Sequence, residues 1–354
     1  MLKNKYILLF TIILAVIAFI LILKSSKTTI KADFAVEDVS AITKIFMSDK
    51  NNNSVTIKRL DEKKWEVNDK YPARIDGMEI LLETISKLHV KEPVSKAGRN
   101  TIIKWLAAKS VKVEIYQMVY RIDLFNKIRL FPHEKCTKVY YVGDETQDNQ
   151  GTFMLLEGSD EPFIVYVPGF RGFLTPRYSA LEFDWRKRIV FDSKIGDIKT
   201  VKIEYPSAPE SSFEISRFNR DFEIKLLFSN KIMNGFDTSK VLNFMNSFAN
   251  LGLEAFLNDL KKSDIDSIVS HKPMAIVTLT NIADKTTVLK AFIKPAAFGS
   301  LDDVTNQPLL IDRDRFYGLI NDDKDFVFLQ YFTYNSIFQP SSYFKIDVDK
   351  KSKE

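Results

Sequence analysis

The chain has 354 residues, with 51 Lys and Arg against 46 Asp and Glu, 45% hydrophobic residues and 27% charged ones. These proportions belong to a folded protein and exclude wholesale disorder, a collagen-like repeat, a multi-pass membrane protein and, with Cys136 alone, a disulfide-stapled scaffold. The net charge of +5 is carried by Lys3, Lys5, Lys24, Lys27 and Lys31, because residues 1–31 contain no acid; the rest balances at 46 basic against 46 acidic. A neutral body with interspersed charges lacks the basic face of a nucleic-acid binder, so no nucleic-acid partner is expected.

Tyr6 to Leu23 reads YILLFTIILAVIAFILIL, polar only at Thr11 and the Tyr6 hydroxyl and bracketed by lysines. As a helix it would reach about 27 Å, close to the roughly 30 Å hydrocarbon core of a bilayer. The expectation is one N-terminal transmembrane helix, an uncleaved anchor over 1–31 that meets the lipid bilayer through 6–23. A cleaved signal peptide fits less well, because its apolar region is typically about 7 to 15 residues and ends in a small-x-small site. Here Ala32 has Ile30 two positions before it, and no Cys follows that could carry a lipoprotein anchor. The flanking positive charges tie, so they do not orient the span. Long C-terminal parts are usually exported, which places the expected body in the periplasm and the anchor in a bacterial inner membrane.

Two α+β repeats are expected behind the anchor, over 32–180 and 181–354, the second ending in a short charged tail. ITKIFMSDKNNNSVTIKRLDEKKWEV, from Ile42, returns in outline as IKTVKIEYPSAPESSFEISRFNRDFEI, from Ile198. Ile45 meets Val201 at an offset of 156 and Trp65 meets Phe222 at 157. Beyond an insertion near Lys231 to Gly235 the offset settles at 163, where Leu82 meets Met245, Ile85 meets Phe248, Ile102 meets Ile265, Val113 meets Ile276, Phe153 meets Phe316 and Phe163 meets Phe326.

Alternation over Ile42 to Met47, Ser54 to Leu60 and Lys64 to Val67 predicts a three-stranded meander with an Asn-rich turn at Asn51 to Asn53. Asp76 with Glu79 suggests a capping box opening a helix whose stripe is Met78, Leu81, Leu82, Ile85 and Leu88. A second helix over Asn100 to Ala108 leads to strands Lys112 to Tyr116, Lys138 to Val142, Thr152 to Glu157 and Pro162 to Val167. The turn Gly158 to Glu161 has its counterpart in Asn321 to Lys324. The fold class read from this order is α+β, each repeat an antiparallel sheet with helices packed on one face. No strand runs through a Gly-rich turn into a helix, so no nucleotide site of the Rossmann or P-loop kind is expected.

No residue pattern specifies a reaction. His89, His133 and His271 are isolated, and neither G-x-S-x-G nor H-E-x-x-H occurs. His133, Glu134 and Cys136 cluster after Pro132, but without a fourth ligand they suggest a surface turn over a metal site. Thr146 to Glu157 has the outline of a calcium loop, yet Thr146 replaces the first Asp and a strand follows, so a hairpin turn is expected. No catalytic, cofactor-binding or metal-ligating residue and no cofactor is therefore assigned. Pro168 to Arg188 is the densest unusual segment. Its Arg171, Arg177, Tyr178, Trp185, Arg186 and Arg188 form a candidate interaction surface, since guanidinium stacks on aromatics and forks onto anions. The competing expectation is that the aromatics pack a seam between repeats and the arginines cover them.

The run Ile42 to Val94, together with YYVGDETQDNQGTFML, PGFRGFLTPRY and DWRKR, resembles bacterial membrane-anchored proteins of domain-of-unknown-function family 4340 (DUF4340), especially those of Bacteroidetes. The likeness spans roughly Phe34 to Phe344. It implies a cell-envelope protein without an established activity, whose relatives accompany membrane components of ABC-type transporters related to the gliding-motility auxiliary proteins. The expected role is a non-enzymatic accessory that contacts another membrane or envelope protein. The alternatives are a periplasmic ligand- or glycan-binding module using a cleft between the repeats, and an envelope enzyme using Asp144, Glu145 or Asp148.

Overall fold

A computed structural model describes residues 10–15, 33–124, 128–219, 221–257, 260–302 and 304–346. It divides into a first unit ending at Lys187 and a second beginning at Arg188. The division falls beyond residue 180 because the chain from Glu182 to Lys187 belongs to the first unit: Trp185 lies in its core and the Lys187 amide donates to the Pro72 carbonyl at 2.8 Å.

In the first unit β1 (Ile42–Ser48), β2 (Ser54–Arg59), β3 (Trp65–Val67) and β4 (Tyr71–Pro72) lead to α1 (Ile75–Ser86), β5 (His89–Pro93) and α2 (Lys96–Lys109). Then come β6 (Val111–Leu124), β7 (Ile128–Glu145), β8 (Thr152–Leu156), β9 (Phe163–Tyr166) and the short α3 (Glu182–Trp185). The nine strands form one antiparallel sheet in the order β4-β3-β2-β1-β6-β7-β8-β9-β5. The β1–β2 turn forms where expected, with Asn52 at φ 64° and the Asp49 carboxylate accepting from the Asn51 and Asn53 amides. Asn tolerates the left-handed conformation, and the Asp side chain replaces absent backbone partners.

The second unit contains β10 (Ile189–Phe191), β11 (Ile198–Glu204), β12 (Phe213–Phe218), β13 (Asp221–Leu226), β14 (Lys231–Ile232), α4 (Thr238–Asn246), β15 (Leu251–Gly252), β16 (Ala255–Phe256) and α5 (Lys262–Val269). It continues with β17 (Ala275–Asn281), β18 (Thr286–Phe292), β19 (Arg315–Ile320), β20 (Asp325–Gln330) and α6 (Tyr331–Tyr334). Its nine-stranded antiparallel sheet runs β14-β13-β12-β11-β17-β18-β19-β20-β16, and β10 pairs with β15 apart from it. Element for element, this is the strand order of the first sheet.

The helices do not share one face, contrary to the sequence expectation. Met78, Leu81 and Ile85 of α1 pack with Ile45, Val113, Val142, Met154 and Val165. Ile102 and Leu106 of α2 pack with Phe153, Leu155 and Ile164, whose strand positions have the opposite parity. Side chains alternate along a strand, so the two helices cover opposite faces of the sheet. In the second unit Phe244 of α4 meets Phe213 edge to face, with ring centroids 5.6 Å apart. Ile265 and Ile268 of α5 instead meet Phe292, Leu319 and Phe326.

Asp76 does not form a capping box. Arg74 holds the N-cap position without a side-chain cap bond, and Asp76 sits in the first turn, ion-paired with Arg74. True side-chain caps occur at Ser95 for α2 and Asp237 for α4.

The 163 offset holds for the helices and fails by one in the strands. Leu81 of α1 and Phe244 of α4 are equivalent buried positions, as are Ile85 and Phe248. In the sheet, Met47 pairs with Val113 and Ile45 with Ile115, whereas Ile203 pairs with Val277 and Val201 with Leu279. Val113 therefore corresponds to Val277, and matching it with Ile276 turns the strand over. The same slip affects Phe153 with Phe316 and Phe163 with Phe326. Two insertions also cancel. Val113 pairs with Tyr140 across a long excursion of the chain, whereas its counterpart Val277 pairs with Leu289 across a short one. At the next connection the lengths are exchanged: Val142 pairs with Met154 across the short one, and Ala291 with Gly318 across the long one. Each unit thus carries one extra stretch, of the same length in both but on adjacent connections, and the offset returns to its earlier value.

No helix among the described residues is long and apolar enough to cross a membrane. Of the expected anchor, only residues 10–15 are described, as exposed helix; the remainder lies outside the described residues.

Candidate functional site

The Pro168 to Arg188 segment separates into core and surface. Tyr178 is buried against Tyr140, the hydroxyls 3.3 Å apart and the rings edge to face. Burial pushes both phenols well above their usual range. Trp185 is buried and donates from Nε1 to the Ser179 carbonyl at 2.8 Å. Arg186 is only 3% exposed, lies 3.6 Å over the Tyr71 ring and pairs with Glu182 at 3.5 Å. Tyr178 and Arg186 are enclosed within the first unit, and Trp185, although buried, also lines the cleft beside α1. Arg188 opens the second unit, its carbonyl accepting from the Leu253 amide at 3.0 Å. The exposed Arg171 and half-buried Arg177 remain, and Arg177 donates to Thr84 Oγ1 at 2.7 Å while stacking 4.0 Å over Phe170.

Arg177 borders a cleft of about 470 Å³ between the start of α1 and this segment. Arg74, Gly77, Ile80, Phe170, Phe173 and Asp184 also line it. Its polar groups are largely engaged within the wall. Hydrogen bonding from Arg74 holds the Asp76 carboxyl at about 2, and that carboxylate occupies the α1 N-terminus. Asp184 accepts from Ser179 Oγ at 2.5 Å. Ser179 Oγ also accepts from the Leu181 amide at 3.1 Å, so this hydroxyl–carboxylate pair closes the turn into α3. The cleft can receive a small, partly aromatic molecule.

His133, Glu134 and Cys136 lie along β7, not in a surface turn. Glu134 accepts from Thr43 Oγ1 at 2.6 Å and Lys44 Nζ at 3.1 Å, and burial raises the Cys136 thiol above its usual range, so it is no activated nucleophile. Among the described residues no group of three or more His, Cys, Asp or Glu could hold a metal ion. Thr146 to Gly151 is a hairpin turn closed by the Thr146 amide on the Gly151 carbonyl at 2.9 Å.

The two extensions are the features that sequence reasoning missed. In the first unit β1 pairs with β6 only as far as Gln117 and β8 with β7 only from Tyr140, so residues 118–124 and 128–135 pair with each other alone. They make a two-stranded ribbon standing off the sheet, with Met118, Ile122, Leu130 and Phe131 exposed. The long gap between the expected strands Lys112 to Tyr116 and Lys138 to Val142 was the available signal, since structureless stretches of that kind are rare in compact domains. In the second unit the extension lies within 293–314. Bridges Pro295 to Ile311 and Leu301 to Pro308 fold it back on itself. Asp302 fixes its turn by accepting from the Thr305 amide and hydroxyl, which draws its carboxyl down to about 2. Phe298 is fully exposed on this excursion, with Val304 at 93% and Leu310 at 83%.

No family model matches this chain, and no curated protein or solved structure does.

Proposed function

We propose that the chain is a membrane-anchored cell-envelope protein of non-enzymatic role, whose body is a tandem duplication presenting a docking element to another envelope protein. The observation that carries this reading is the excursion at 293–314. Its described residues are tied together by hydrogen bonds and bridges while Phe298, Val304 and Leu310 all lie in solvent. Aromatic residues such as Phe298 are enriched at interface centres. The apolar run at 6–23 supports a membrane anchor, and the long chain behind it supports export of the body to the periplasm. The likeness to DUF4340 points to a transporter-type or gliding-related membrane complex as the partner.

A photo-crosslinking side chain at position 298 in cells tests the docking element. A discrete adduct with one membrane-complex subunit is expected, lost when Val304 and Leu310 are both replaced by Asp. Adducts no different from those of a probe at exposed Phe228 would defeat the proposal.

The cleft beside α1 supports a second reading, a ligand- or glycan-binding module, because Phe170 and Phe173 with Arg177 offer stacking surfaces to a sugar or an aromatic ring. Saturable binding of a cell-wall saccharide, abolished by Phe173→Ala in a folded protein, would favour it.

A further inference from the structure

We infer that the β6–β7 ribbon is a second membrane contact, laid on the anionic headgroup layer of the bilayer that holds the anchor. The inference rests on the anchor reading in the proposed function.

An isolated two-stranded ribbon is marginal in water, so an element of this kind persists by resting on something. Its roughly seven residues per strand give a reach of about 23 Å. Ile122 and Leu130 are cross-strand partners and, with Met118 and Phe131, form its exposed apolar part, Phe131 being 64% exposed. The described strands carry Arg121, Arg129 and Lys135 against Asp123 and Glu134; Arg129 lies 5.4 Å over the Tyr120 ring, and Glu134 is already engaged by Thr43 and Lys44. Apolar and aromatic side chains interleaved with cations are the composition that binds an anionic lipid interface.

Placement makes the bilayer the occupant. After the apolar run the described chain resumes at Asp33, and Lys138, at the ribbon's root, donates to the Asp33 carbonyl at 2.7 Å and pairs with its carboxylate at 2.9 Å. Gln117, at the root of the other strand, donates to the Asp38 carbonyl at 2.9 Å. The chain leaving the apolar run therefore arrives where the ribbon leaves the sheet. Residues 24–32, between Leu23 and Asp33, can span at most about 30 Å, a length the ribbon nearly matches. The equivalent hairpin of the second unit, which no apolar run precedes, closes in a short turn between Asn281 and Lys285 with no ribbon at all.

The test uses the full chain carrying Cys136→Ser and Phe131→Cys, labelled with an environment-sensitive fluorophore and reconstituted into vesicles of equal parts phosphatidylcholine and phosphatidylglycerol. A second label at Asp148→Cys, in the turn at the other end of β7, is the control. The position-131 label is expected to be quenched by nitroxide-bearing lipid and reduced by aqueous dithionite about tenfold more slowly than the position-148 label. Arg121→Glu with Arg129→Glu is expected to remove that protection while the protein still floats with the vesicles. Equal reduction rates at the two positions in floating protein would overturn the ribbon contact and leave the anchor intact. Protection without lipid quenching would overturn it in favour of a protein contact. Failure to float with vesicles would remove the anchor reading and this inference with it.

Discussion

Gly143→Ala is expected to destabilise the first unit by about 1–3 kcal/mol, the usual range for forcing a methyl group into a filled site. A Cβ at position 143 would lie 2.5 Å from Leu106 Cδ2 and 3.1 Å from the Phe153 carbonyl oxygen. Leu106 is enclosed by Val94, Ile102, Phe153, Leu155 and Ile164, and the carbonyl belongs to the neighbouring strand, so neither can yield without moving α2 or β8. Trp65, Trp105 and Trp185 are the three tryptophans of the chain, and all lie in the first unit, so fluorescence in urea follows that unit. With a urea dependence of about 2 kcal/mol per molar, the midpoint should fall by about 0.5–1.5 M. Leu106→Ala alone should cost about 2–5 kcal/mol through the cavity it opens. In the double variant the new methyl occupies part of that cavity, and a favourable coupling of about 0.5–3 kcal/mol is expected. An unchanged midpoint for Gly143→Ala, or strictly additive losses, would refute the close approach of α2 to β7.

Further outcomes follow from the buried polar groups. Tyr140→Phe and Tyr178→Phe should each cost about 1–2 kcal/mol, and the double variant less than their sum, because each single change strands the other hydroxyl; additivity in urea denaturation would count against the pair. Tyr140, Tyr178 and Tyr334 have phenols raised by burial from an ordinary value of 10.0. Their contribution is complete below pH 10 and is lost as pH rises beyond it, since the unfolded chain ionises first. Absorbance at 295 nm should therefore show a class of tyrosines that titrate only on unfolding, whereas ionisation of all 13 near pH 10 with intact circular dichroism would disprove their burial. Arg186→Ala should destabilise by about 2–4 kcal/mol, removing the packing over Tyr71 and leaving the half-buried Glu182 with Asn68 but no cation, whereas Arg171→Ala should stay within about 0.5 kcal/mol; the reverse ranking would count against the burial of Arg186. Asp76 has its carboxyl lowered from 3.8 to about 2 by Arg74, so its stabilisation is present above pH 4 and is lost as pH falls toward 2. Asp76→Asn should flatten that acid limb of a stability-against-pH curve, and an unchanged limb would discount the ion pair.

The arginines and aromatics of Pro168 to Arg188 show why the candidate site was only partly legible. Guanidinium over an aromatic ring has the same composition whether it covers a core or awaits a ligand. Arg186 over Tyr71 and Arg177 over Phe170 differ in burial, which depends on what α1 and β4 place around them. The ribbon was hidden for a related reason: its strands face solvent, so no buried stripe marks their period, and the strands ended in the sequence reading where the sheet ends.

Periodicity by itself determined most of the sheet strands, both long helices of the first repeat and the kinship of the two halves, because backbone geometry ties apolar spacing of two and of about 3.6 to strand and helix. It could not determine register or side. Both faces of each sheet are covered by a helix, so apolar residues meet apolar residues even when an alignment slips by one position and inverts the strand. Only the pairing of Met47 with Val113 and of Ile203 with Val277 settled that question. The two cancelling extensions were likewise invisible to a constant offset, and hydrogen bonds between strands distant in sequence were needed to show where each repeat grows outward.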